Sequence, residues 1–218
     1  MKHLADFWTK FARQERLEGN ARILENKNLP MLEVNAAYTE TVADFPVLLS
    51  PSCLEPHGFN LEGEFVVLSV KPKELDSEIW IEQVPWSRGA TLAEVWCAQN
   101  DALEWRAEVS RELARSLEAN PDLLSYLAFQ GDNPLGMMVV SSTGLCGLWA
   151  APNETAIALF NRGANDSGSF EVTVPAVRLE TLGLTGLPGD ARALEQYRVW
   201  ISATALVHAS PLSIQRPR

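Results

Sequence analysis

The side chains of this 218-residue chain that could carry chemistry are few, and their spacing removes most options. His3, His57 and His208 are too far apart in type and context to suggest a metal site. Cys53, Cys97 and Cys146 are odd in number and form no C-x-x-C pair, so neither a disulfide framework nor a zinc knuckle is expected. Cys97 and Cys146 lie in apolar segments and read as buried structural thiols. No G-x-S-x-G elbow, Walker A loop or G-x-G-x-x-G turn occurs. Asp101, Glu104, Glu108 and Glu112 alternate with Arg111 and Arg115 in the manner of a solvated helix face. Among seven tryptophans, Trp8, Trp96 and Trp105 fit the core faces of helices. Trp86 and Trp149 instead fall at strand ends, where a ligand pocket would form.

The elements that must position these residues are legible in part. Residues 2–16 read as a helix with Leu4, Phe7, Trp8 and Phe11 on one face, ended by Gly19-Asn20. Residues 28–50 are turn-rich and close with a short strand at 45–49. Residues 64–70 form a strand with a doubly buried centre, and the polar stretch 71–76 reads as a link. A strand at 78–84 follows. Thr91-Leu92-Ala93-Glu94 reads as a capping box that opens a helix. Trp105, Val109, Leu113 and Leu117 recur every four residues on a second helix, which Asn120-Pro121 ends. A meander then runs through 123–130, 134–141 and 145–149, with a helix at 153–162, a strand at 170–174, a short helix at 176–182 and closing strands within 194–207.

The second half thus reads β-α-α-β-β-β-α-β-α-β, an α/β mixed sheet with helices on both faces. This order, over residues 77–201, resembles the GNAT superfamily of acyl-CoA-dependent N-acetyltransferases. So does the hairpin Tyr126–Val140 with its Asn133-Pro134-Leu135-Gly136 strand start, and so does Gly144–Trp149 followed by Pro152. His57-Gly58-Phe59 with the strand Glu64–Leu68, and the loop Leu29–Tyr38, resemble parts of a worn second copy. The resemblance implies a GNAT-like acyl-CoA N-acyltransferase fold in tandem, with residues 1–76 a worn N-terminal half and 77–218 the GNAT-like domain.

The resemblance also implies a site. Acetyl-CoA or another acyl-CoA would lie after the strand ending at Trp149. Backbone amides near Trp149, Ala150 and Ala151 would hold the pantetheine arm, and those of Asn153, Glu154 and Thr155 would face the pyrophosphate. A small-molecule or peptide amine would enter by Trp86 and the Asn35 loop. The family's Gln/Arg-x-x-Gly-x-Gly/Ala phosphate loop is missing here, since Pro152–Leu159 has no Gly and Glu154 adds negative charge. The family's Tyr, four residues before a late Gly, is Leu179 here. Strand neighbours Gln83, Ser125 and Gln130 supply no strong base, and an amine acceptor does not strictly need one. The implied function is acyl transfer to an amine. The alternative is a catalytically inactive binding or interaction module on the same fold.

A net charge of −10, divided −4 over residues 1–76 and −6 over 77–218, argues against nucleic acid and anionic membranes as partners. The free cysteines and the absence of a long apolar run lead to the expectation of a cytoplasmic protein.

Overall fold

The computed structural model describes residues 1–72, 78–168, 170–183 and 191–203. Helix α1 (Lys2–Thr9) is shorter than its apolar periodicity predicts. The chain turns at Lys10–Arg13 and residues Gln14–Glu18 form a strand, β1, not a continuation of the helix. Gly19, at φ 59°, is the turn that lets β1 pair with β2 (Ala21–Glu25). Cross-strand pairing of Arg22 with Glu15 and Arg16 with Glu25 favours the hairpin over helix.

The remaining strands are β3 (Ala37–Tyr38), β4 (Val47–Pro51), β5 (Phe59–Val70), β6 (Trp80–Val84), β7 (Leu123–Gln130), β8 (Asn133–Ser141), β9 (Leu145–Ala150), β10 (Phe170–Pro175) and β11 (Ala191–Ser202). The described strands form one mixed sheet in the order β1-β2-β3-β4-β11-β5-β10-β9-β8-β7-β6. Among the described strands only β3–β4 and β9–β10 pair in parallel. The sheet runs unbroken through both halves of the chain. β5, from the first half, lies between β10 and β11, both from the second.

Helices α2 (Gly89–Gln99) and α3 (Arg106–Ala119) join α1 on one face, over Leu127, Met137, Val139 and Leu148. Helix α4 (Asn153–Ser167) covers the other face, over Tyr126, Met138, Trp149 and Val172. It runs past Arg162 to Ser167 and stops at Gly168 in the left-handed conformation, which needs a residue without Cβ strain. Helix α2 begins at Gly89, two residues before Thr91, and Thr91 makes no capping bond. The expected helix at 176–182 is a single 3-10 turn, Ala176–Arg178. The link predicted at 71–76 lies largely outside the described residues, while the closing strands expected within 194–207 are the single strand β11 over the described part, with 204–207 outside it.

Glu112 does not lie on a solvated face. It is 2% exposed and anchors the first half of the chain to α3. Its carboxylate accepts hydrogen bonds from Arg13, Arg115, Asn26 and Asn28. Burial opposes its ionisation, but bonds from Arg13, Asn26 and Arg115 outweigh that and draw its pKa down to about 2. No helix among the described residues is long and apolar enough to cross a membrane.

Candidate functional site

The site begins with an irregularity in β9. Against β8, Leu148 faces Val139 and Cys146 faces Val140, so Gly147 is an extra residue, a β-bulge. On the opposite edge, pairing with β10 ends at the same level, since Cys146↔Val172 is its last register pair on that side. Beyond that level β9 and β10 no longer pair, and a gap opens between Leu148–Ala150 and Thr173–Pro175. A bulge that bends one of two parallel strands is a sufficient cause of such a gap.

Gly147 is needed there. A Cβ at this position would lie 2.5 Å from Cδ1 of Phe7, so the Phe7 ring of α1 packs directly on the bulge. Trp8, next along, forms part of the wall of a cavity of about 70 Å3. The 28–36 loop with Glu33, Phe65 of β5, Trp96 of α2 with Asn100 just after it, and Gly147–Trp149 with Thr173 and Pro175 at the gap supply the rest.

This chamber is unusually polar for its depth. Trp8 Nε1 is buried without a hydrogen-bond partner, and the buried hydroxyls of Thr173 and Tyr197 interact with each other. Tyr197 lies just behind the wall, with its ring stacked on Phe65 at 5.2 Å and 6°. Its phenol feels both Glu33 and Thr173. Burial and then the Glu33 charge hold its pKa well above the usual tyrosine range, so it stays a hydroxyl. The Glu33 carboxyl is desolvated, which raises its pKa, and a backbone hydrogen bond to its own amide offsets only part of that.

Trp149 closes the chamber toward α4. Its Nε1–H donates to the Thr173 carbonyl at 2.7 Å, across the gap. Its ring meets Phe160 of α4 edge-on at 4.9 Å. Arg178 lies over the ring at 4.6 Å and donates to the Ala151 carbonyl and to Asn153 Oδ1. Burial lowers the Arg178 pKa from its ordinary value.

The residues singled out from sequence fall into three places. Trp149, Ala151 and Asn153 meet at the gap through Arg178, and Ala150 is the buried last residue of β9. Glu154 and Thr155 form the first turn of α4 and line a separate surface groove of about 660 Å3 with Gln130 and Leu135. Asn35 and Trp86 lie apart from the chamber lining. The Asn35 amide donates to the Leu29 and Met31 carbonyls and its Oδ1 accepts from the Asn26 amide, so it shapes the loop that presents Glu33. Trp86 is 49% exposed on a 3-10 turn.

Sequence reasoning missed Glu33, Thr173 and Arg178. Glu33 stands in a run of apolar residues, Met31-Leu32-Glu33-Val34, where a lone carboxylate is a usable signal of desolvation. Among the described residues, no cluster of His, Cys, Asp or Glu could hold a metal ion.

No protein-family model matches the sequence, and no curated protein matches it. Solved structures share the fold. A conserved protein of unknown function from Staphylococcus epidermidis superposes with a TM-score of 0.56 at 11% identity, over 88% of this chain and 94% of its own. A putative acetyltransferase of the GNAT family from Novosphingobium aromaticivorans superposes with a TM-score of 0.51 at 11% identity, over 90% of this chain and 96% of its own. The fold is therefore that of the GNAT acyltransferases, as the order of elements implied.

Proposed function

We propose that this GNAT-fold chain is an acyltransferase that moves an acyl group from an acyl-CoA to a small amine at the Gly147 bulge, and that its donor slot is closed by Trp149 at rest. The observation that carries the reading is the coincidence of three features at one level of the sheet. They are the bulge in β9, the end of β9–β10 pairing, and a chamber holding a desolvated carboxyl. In this reading residues 1–76 are a worn GNAT half that contributes the wall of the site, with Glu33 from its loop and Phe65 from β5.

Glu33 is the group suited to hold a proton. An amine acceptor arrives as an ammonium, and a carboxylate with a raised pKa is a better base for it than an ordinary one. The Tyr197 phenol, which feels the Glu33 charge, is a candidate for returning a proton to a leaving thiolate. It takes the place of the tyrosine that Leu179 fails to supply.

The fit to the donor is partial. The N-terminus of α4 and Arg178 offer positive potential for a polyphosphate, which Glu154 weakens. The gap between β9 and β10 does not admit a pantetheine arm while Trp149 bridges it. Turning the ring out forfeits a hydrogen bond of about 1 kcal/mol, an edge-on aromatic contact of about 1 kcal/mol and a cation–π contact of about 1 kcal/mol. That is roughly a hundredfold in apparent affinity, enough to move a micromolar donor toward about 0.1 mM.

The same hydrogen bond favours a second reading, in which Trp149 has replaced the donor altogether and the chain is a non-catalytic binding module. Acetyl-CoA titration followed by an amine screen separates the two. Saturable donor binding with acyl transfer supports the enzyme. No binding by wild type or by a Trp149 variant supports the module.

A further inference from the structure

The surface groove of about 660 Å3 lies between the start of β6, the β7–β8 hairpin and the first turns of α4. That volume falls in the range of small-ligand sites, about 300–1,000 Å3. Gly136 of β8 lets α4 sit close on the sheet there. A Cβ at this position would lie 2.7 Å from Thr155 Cγ2 and 2.8 Å from Ala151 Cβ.

The lining joins apolar side chains to unbalanced negative charge. Ile79, Leu135 and Ile157 are half-buried and give the groove an apolar floor. Glu154 shares a face of α4 with Ile157 through their i, i+3 spacing. Glu78 comes from the other wall, just before β6. Both carboxylates are exposed, and no lysine or arginine lines the groove. Among the described residues neither carboxylate is in an ion pair. Thr155 adds an independent polar group. The residue is 2% exposed, and its methyl faces Gly136. Its hydroxyl takes no hydrogen bond from the described residues and is the part of the side chain open to the groove.

We propose that the groove is a binding site for a linear aliphatic ammonium, a small molecule with a bare alkyl chain and a cationic amine at each end. An ammonium carries three donors and no acceptor, which matches two carboxylates and a hydroxyl free to accept. The alkyl chain covers Ile79, Leu135 and Ile157. An anion fits poorly, since the start of α4 offers about half a positive charge against two full negative ones. A metal ion fits poorly too, since the described residues hold no cluster of His, Cys, Asp or Glu able to bind one.

This inference does not rest on the acyltransferase reading. The groove and the Gly147 chamber share no lining residue, so binding in one is measurable apart from the other.

The test is a two-dimensional amide NMR titration of the full chain with α,ω-diaminopentane, the matching α,ω-pentanediol and glutarate as separate probes. The diamine should bind in the millimolar range and shift amides at 78–79, 130–135 and 153–158. It should bind at least about tenfold more tightly than the diol, and glutarate should not bind at the same concentrations. Glu78→Gln and Glu154→Gln are exposed changes that leave the packing intact. Each should weaken the diamine about threefold, and the double variant about tenfold. Thr155→Val keeps the shape and should weaken it about threefold through loss of one hydrogen bond. Glu118→Gln removes an exposed charge from α3, on the opposite face of the sheet, and should leave the affinity unchanged. No saturable binding of the diamine overturns the proposal, as does equal binding of the diol or an unchanged affinity in the double variant. A loss with Glu118→Gln as large as that with Glu154→Gln overturns it in favour of attraction by net charge alone. Shifts centred on Glu33 and Gly147–Trp149 also overturn it, and place the amine where the acyltransferase reading puts its acceptor. Groove binding in a chain that never binds acetyl-CoA leaves the proposal standing and removes the acyltransferase reading.

Discussion

The indole N–H of Trp149 reaches 2.7 Å to the backbone carbonyl of Thr173, one strand away, and so joins two parallel strands where their own pairing has ended. Parallel strands that separate expose backbone groups that must find partners. Here a side chain from the end of β9 supplies one. Phe160 on one side and Arg178 on the other fix the ring in place. Trp149→Phe removes the N–H and keeps most of the apolar contact. It should lower stability by about 1 kcal/mol, measured by urea denaturation. A loss above about 3 kcal/mol would mean that packing, not the hydrogen bond, holds the two strands.

Gly147→Ala tests whether the bulge and α1 form one unit. A Cβ there would collide with the Phe7 ring, 2.5 Å from Cδ1. The substitution should cost about 1–3 kcal/mol, through displacement of α1. Phe7→Leu makes room and should recover part of that loss when the two changes are combined. Simple additivity of the two losses would show that the helix does not rest on the bulge.

Glu112 makes the fold acid-sensitive. Its folded pKa of about 2 lies below an unfolded value of about 4.3, so it contributes stability above the unfolded pKa and loses it as pH falls toward 2. Glu112→Gln should therefore cost about 1–3 kcal/mol at neutral pH and little near pH 2. Denaturation curves at the two pH values read this directly. An equal cost at both would contradict the ionic basis of the anchor.

Glu33 should act in the opposite direction. Its folded pKa is raised, so the native chain binds a proton more readily than the unfolded one. Stability attached to this group is full below the unfolded pKa of about 4.3 and is lost as pH rises through the higher folded value. Glu33→Gln should flatten this part of the pH–stability curve. It should also remove the acidic limb from any acyl-transfer rate profile. A wild-type curve that rises over that interval, unchanged by the substitution, would show that Glu33 is not desolvated.

Elements governed by local pattern were legible in the sequence. The four-residue spacing of Val109, Leu113 and Leu117 gives the buried face of α3, and the meander 123–149 matches β7, β8 and β9 closely. Local signals failed where tertiary pairing decided the outcome. Residues 14–16 extend a good helical pattern, yet pairing with β2 makes them a strand. Thr91 fits a capping box, yet the chain enters the helix earlier, at Gly89, where an added Cβ would lie 3.0 Å from the Ala114 Cβ. The insertion of β11 between β4 and β5 joins residues about 140 positions apart and leaves no trace in periodicity. The site was half legible for the same reason. Trp149 and Asn153 are adjacent to the gap along the chain. Glu33, Tyr197 and Arg178 reach it only through the folded sheet.

Calorimetric titration of acetyl-CoA into the wild type and into Trp149→Ala tests the central claim most directly. A donor slot that Trp149 closes predicts weak binding to the wild type, near 0.1 mM, and binding at least about tenfold tighter to the variant. Equal affinity for both proteins, or no binding to either at millimolar acetyl-CoA, would contradict it.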